Sequence, residues 1–181
     1  MKIIKILPAK CNVWLIVNGD KSILVDAGYS GKMNDFEHTL VENSLKPRDI
    51  SMIIMTHTHF DHACRLKEIK ELTKARIVVN ENEAACLEQG ACPLPKGTRW
   101  YSGIISWLGR NVVYGIEKFQ SVSPDIILNL KHDLGRYGIE GYIIPTPGHT
   151  AGSQSLISGE DAFIGDDRVP IYNWFGRRRS P

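Results

Sequence analysis

A chain of 181 residues, 43% hydrophobic and 23% charged, has the length and composition of one globular domain with a sizeable core. The formal net charge is +2, and three of the basic residues are the run Arg177, Arg178 and Arg179. The rest is slightly acidic, which excludes a basic field suited to gripping nucleic acid. No apolar run reaches membrane-spanning length, and the stretch from Met1 to Pro8 is too short and too charged for a signal segment.

In chain order, residues 2–7, 12–18 and 21–25 read as short strands, with Asn18-Gly19-Asp20 as the hairpin signal between the last two. Asp26 ends the third strand, where its carboxylate is suited to capping a turn. Residues 32–45 read as a helix with Met33, Phe36, Leu40 and Val41 on one face, stopped by Pro47. His38 lies in this helix and is expected to be solvated. Residues 50–55 form an apolar run expected to be a buried strand, followed by helix 63–72, strand 76–79 and a short helix over 81–88. This alternation fits one layered half of an α/β fold.

The loop leaving strand 50–55 is Thr56-His57-Thr58-His59-Phe60-Asp61-His62, with three imidazoles and a carboxylate within six residues. Four such groups so close together call for a cation, and nitrogen with carboxylate suits Zn²⁺, Fe or Mn. A polar loop with merely exposed histidines is the bland alternative. It is disfavoured because half of the six histidines in the chain sit here.

Residues 90–124 carry Pro93, Pro95 and Gly97 and the run Trp100 to Leu108, with Ile104, Trp107 and Leu108 at helical spacing. Two readings stand level: ordinary core or dimer packing, and a wall of the active-site groove. Asp125 to Leu128 begins the second half, with a turn over 133–138, strand 141–144, and His132 solvated in a polar turn. Pro145, Pro147 and Gly148 rigidify the loop presenting His149. Strands 154–158 and 161–164 lead to Gly165-Asp166-Asp167. Cys11, Cys64, Cys86 and Cys92 form no CxxC pair, so reduced thiols in a cytoplasmic protein are the simplest reading. Cys64 reads as a small packing residue.

The chain resembles the metallo-β-lactamase-fold hydrolases, in the neighbourhood of glyoxalase II and the acyl-homoserine lactonases. The resemblance rests on H-x-H-x-D-H at residues 57–62, on Ile23 to Gly28, on Thr146 to Ser153 and on Phe163 to Asp166. It implies an α/β protein of the four-layer αββα type. It also implies one domain over residues 1–181, with the match over 1–167 and a divergent or disordered tail over 168–181.

The resemblance further implies a first metal held by His57, His59 and His149. Asp61 and His62 would hold a second, and Asp166 would bridge the two. Asp61 would position a metal-bound hydroxide or pass a proton, and Asp26 would orient a ligand histidine. Family members continue to a final histidine of the second site. Residues 168–181 contain none, so the second half is expected to be incomplete and the second site to have three protein ligands, with Asp167 or water completing its shell.

The implied function is metal-dependent hydrolysis of a small ester, thioester or lactone, with one or two Zn²⁺ per chain. A phosphodiesterase or nuclease-type member is the second option, weakened by the charge. A degenerate member without turnover is the third. The expected partner is a small-molecule substrate, with neither nucleic acid nor membrane. A homodimer is expected if an apolar face is left uncovered.

Overall fold

The hairpin forms where the sequence asks for it. Strand β2 (Val13–Asn18) pairs antiparallel with β3 (Lys21–Val25), and Asn18 opposes Lys21. Gly19 takes the turn at φ 62°, a left-handed conformation that costs glycine little. The computed structural model describes residues 1–7, 11–29, 31–92 and 118–166. Strand β1 (Lys2–Leu7) adds antiparallel to β2, while β4 (Ile50–Ile54), β5 (Arg76–Asn80) and β6 (Ile126–Leu128) extend β3 in parallel. The result is a six-stranded sheet in the order β1-β2-β3-β4-β5-β6.

Both faces of this sheet are covered, which explains the near-continuous apolar runs of its central strands. Leu15, Leu24, Ile53, Ile77 and Val79 face a helical layer with Phe36, Leu40, Leu66, Ile69 and Leu87. Their neighbours Ile16, Ile23, Val25, Met52, Ile54 and Val78 face the opposite way, toward Leu134, Ile139, Ile143, Leu156 and Phe163. That second core lies against an antiparallel sheet of β7 (His132–Asp133), β8 (Tyr142–Pro145), β9 (Gln154–Ser158) and β10 (Asp161–Phe163), in the order β10-β9-β8-β7. The helical layer comprises α1 (Met33–Glu42), α3 (Leu66–Thr73) and α4 (Glu81–Gln89). Helix, sheet and sheet are thus three of the four expected layers. Among the described residues the helical structure of the second half is limited to the 3₁₀ turn Gly135–Tyr137. No helix of the described residues is long and apolar enough to cross a membrane.

Three sequence expectations are corrected. Residues 125–128 do not open the second half, because β6 pairs with β5 at Val78↔Ile126 and closes the first sheet. The helix expected over 63–72 is broken into α2 (Phe60–Ala63) and α3. The break follows from outside pulls: Ala27 and Gly28 donate backbone bonds to the His62 carbonyl, and the Arg65 N–H donates to Gly28. His132 is not a solvated turn residue. It is half-buried on β7, its ring 2.6 Å from Arg136 and stacked on Tyr137. Of residues 90–124, positions 93–117 lie outside the described residues, including Trp100 to Leu108 and the packing or lid role considered for them. Asp167 and the tail lie outside them too.

Candidate metal centre

Strand β3 is paired in parallel with β4, with Val25 opposite Ile54, so both strands deliver their next residues to the same edge. Asp26 leaves β3 at φ 61°, a conformation that aspartate tolerates better than most residues. The turn aims its buried carboxylate across at the loop leaving β4. Oδ1 accepts from the Thr56 N–H at 2.7 Å, and Oδ2 accepts from the Thr56 hydroxyl at 2.8 Å. Oδ2 also lies 2.8 Å from His62 Nδ1. Asp26 therefore caps the end of β4, 30 residues on, instead of its own turn, and orients a histidine. Being hydrogen-bonded at Nδ1, His62 presents Nε2 to the site.

The rest of the loop is held just as firmly. Glu83, buried on α4, accepts the Thr58 N–H at 2.9 Å and a short bond from the Thr58 hydroxyl. Cys11 donates its thiol to the Asp61 carbonyl at 2.8 Å. From the second sheet, Gln154 gives its side-chain amide to the Met55 carbonyl at 2.7 Å and its backbone N–H to the Thr56 carbonyl at 2.9 Å. Gly165, just past β10, passes so close that a Cβ would lie 2.5 Å from Thr56 Oγ1 and 3.0 Å from His57 Nδ1.

These supports bring five of the six sequence-predicted residues into two donor groups, while Asp61 belongs to neither and His57 stands in the second group where Asp61 was expected. Donor atoms of His57, His59 and His149 form one group, and those of His57, His62 and Asp166 another, all within 4.8 Å of each other in each group. His149 Nε2 lies 3.0 Å from His59 Nδ1. Asp166 spans the two groups, with Oδ1 3.6 Å from His62 Nε2 and Oδ2 3.8 Å from His149 Nε2. Asp61 Oδ2 stands 4.0 Å from His62 Nε2, on the open side of the cluster.

The electrostatics of the cluster suit a bound cation. His57 Nε2 and His62 Nε2 are buried without a hydrogen-bond partner, an arrangement that costs free energy unless something binds them. Burial pushes His57 down to about 2, reinforced by the neighbouring rings of His62, His59 and His149. Burial and His149 also lower His59. Both rings are thereby kept neutral, the form that binds metal. Burial opposes charge on His62 too, but the Asp26 carboxylate, with Asp61 and Asp166, overrides it and raises the ring to about 9.

Glu83, Cys11 and Gln154 were not singled out by sequence reasoning. A signal existed for Glu83, a carboxylate four residues before Leu87 and hence on the buried face of α4. Cys86 and Cys92, far from a CxxC spacing, meet with their sulfurs 3.2 Å apart.

The chain belongs to the metallo-beta-lactamase superfamily, whose family model matches residues 7–166. It is 32% identical over 155 residues to the probable metallo-hydrolase MJ0888 of Methanocaldococcus jannaschii, covering 86% of this chain and 66% of that protein. With the probable metallo-hydrolase YqgX of Bacillus subtilis it shares 26% identity over 168 residues, 87% of this chain and 69% of that one. Among solved structures, a HARLDQ-motif mutant of a metallo-beta-lactamase from Cronobacter sakazakii superposes with a TM-score of 0.65 at 20% identity, covering 85% of this chain and 55% of that one. The chain thus spans between about half and two thirds of the length of these proteins. The fold family and the histidine-rich cluster together imply a divalent metal.

Proposed function

We propose that the protein is a metal-dependent hydrolase of small ester, thioester or lactone carbonyls. In this reading His57, His59 and His149 hold one cation, Asp61 and His62 hold a second, and Asp166 serves both. The observation that carries it is the convergence of two donor groups around buried, unpartnered ring nitrogens at the mouth of two sheets. The relatives MJ0888 and YqgX, named as probable metallo-hydrolases, support the same reaction class. A donor set of nitrogen and carboxylate without thiolate suits Zn²⁺, with Fe or Mn as competitors.

Bound cations supply Lewis acidity and a nucleophile at neutral pH. The protein's own part is positional. Asp26 fixes the His62 tautomer through Nδ1, and Thr56 completes that clamp. Asp61, with 38% of its side chain exposed, faces the open side. There it is suited to take the proton of the attacking water and return it to the leaving oxygen or sulfur. The near-neutral body of the chain favours a small substrate over a polyanion.

The test is reconstitution of the apo-protein with Zn²⁺, Mn²⁺ or Fe²⁺ and assay on a panel of thioester, lactone, ester and bis(p-nitrophenyl) phosphate substrates. Carbonyl turnover that disappears with metal in His57→Ala, and falls in Asp61→Asn with the first cation retained and the second bound more weakly, is expected. A fully loaded protein that cleaves only the phosphodiester, or nothing, would overturn the assignment.

A further inference from the structure

Helix α4 ends at Gly90, whose left-handed φ of 68° turns the chain back on itself. The Ala91 N–H then bonds the Cys86 carbonyl, and Cys92 returns alongside Cys86. Their sulfurs lie 3.2 Å apart, and both residues are half-buried. Cys11 is buried, and Cys64 has no sulfur partner among the described residues. We propose that Cys86 and Cys92 are an oxidation site that closes to an intramolecular disulfide by exchange with small disulfides of the oxidised-glutathione class.

The pair has an asymmetry that exchange requires. Either thiol can donate across the contact, but Cys92 as donor holds Cys86 down to about 7 against its burial, whereas Cys92 itself is raised. Burial raises Cys11 to about 12 and raises Cys64 as well, so neither is a comparable nucleophile. The Cys86 thiolate attacks one sulfur of the small disulfide, forming a mixed disulfide and expelling a thiolate that takes up a proton. Cys92, losing its proton, then attacks the Cys86 sulfur and expels the second small thiol. Two protein thiols are oxidised and one small disulfide is reduced to two thiols.

Glu83, one helical turn before Cys86, would complete a metal-binding trio with the two sulfurs. Its carboxylate is already committed to Thr58, both to the N–H and to the hydroxyl, which favours the dithiol reading over a metal one. Through that contact the site touches the loop bearing His57 and His59, without being part of their cluster.

The full chain, incubated with excess oxidised glutathione and then denatured, should lose two of its four titratable thiols. Trypsin releases residues 77–96, which carry Cys86 and Cys92 and no other cysteine, so this peptide should be lighter by two hydrogens and should regain them with dithiothreitol. Cys92→Ser should instead stop at one glutathione on Cys86. Four thiols surviving, a bond to Cys11 or Cys64, or a bond between chains would overturn the proposal. So would a pair that oxidises only after a chelator has stripped Zn²⁺ from it.

Discussion

Replacing Asp26 with Asn is a nearly isosteric change whose effect can be worked out atom by atom. Asn tolerates the φ of 61° as aspartate does, so backbone strain is unchanged. The amide oxygen in place of Oδ1 still accepts from the Thr56 N–H. The amide NH₂ in place of Oδ2 now points a donor at His62 Nδ1, which has to accept instead of donate. The neutral ring then carries its proton on Nε2, the atom facing Asp61 and Asp166. A buried hydrogen bond to a charged group is worth about 1.5–3 kcal/mol. Loss of such a partner behind a metal-binding histidine weakens metal affinity roughly 10- to 100-fold.

Competition titrations of the apo-proteins against a chromophoric chelator would read that loss, and nitrogen NMR of the imidazole would read the tautomer. An unchanged affinity for both metal equivalents would refute the role given to Asp26. Proton linkage supplies a second readout. His62 is raised from 6.5 to about 9 in the folded apo-protein, so its pairing stabilises fully below 6.5 and is lost as pH rises through 9. The difference in unfolding free energy between wild type and Asp26→Asn should therefore shrink across that window, and a constant difference would refute the linkage.

Three more outcomes are expected. Glu83→Ala strands the Thr58 N–H and hydroxyl in a buried setting and should cost about 1–3 kcal/mol in denaturant unfolding, with Glu83→Gln recovering most of it. Gln154→Ala leaves the Met55 carbonyl unpaired where the two sheets meet, so it should destabilise by a similar ~1–3 kcal/mol. It should also weaken metal binding at the His57, His59 and His149 group, and full retention of that affinity would show that β9 does not register the His149 loop. Burial would raise Asp125, but Lys70 at 2.5 Å and the Ile77 N–H at 2.7 Å lower it, so its stabilisation is present above the unfolded value of 3.8 and lost as pH falls through the folded value. The stability gap between wild type and Asp125→Asn should close on acidification, and a gap that stays open at the acid end would count against the ion pair.

What the sequence made legible follows local rules. The apolar runs of β2, β3 and β4 and the glycine turn between β2 and β3 are all set by neighbours a few residues apart. The H-x-H-x-D-H loop was legible because its donors are consecutive. The reach of Asp26 to His62, 36 residues on, depends on the parallel register of β3 and β4, which no local pattern specifies. Strand β6 was assigned to the wrong half for the same reason, since its partner β5 is separated from it by the long stretch that includes residues 93–117. The meeting of Cys86 and Cys92 hinged on Gly90 turning left-handed immediately after α4, a three-dimensional reversal hidden behind an unremarkable spacing of six residues.

The supports of the metal loop also bear on where specificity resides. Residues 55–62 are held by Asp26, Glu83, Cys11 and Gln154, and each of these contacts lies behind the ring nitrogens or on the backbone. A loop fixed from that many directions has little freedom to adapt to different substrates, and its conformation is settled before any ligand arrives. The adaptable side is the one left open, where Asp61, His149 and Asp166 expose 38%, 28% and 51% of their side chains. Beside it Tyr29, 37% exposed, tilts against Phe60 with ring centroids 5.0 Å apart, giving the loop an aromatic flank next to Asp61. Under the proposed carbonyl hydrolysis, that exposed flank is a surface an acyl group could meet without touching the buried clamps. Substitutions that change acyl preference without disturbing metal content are therefore expected at Tyr29 and Phe60, whereas changes at the clamps should alter metal binding and stability together.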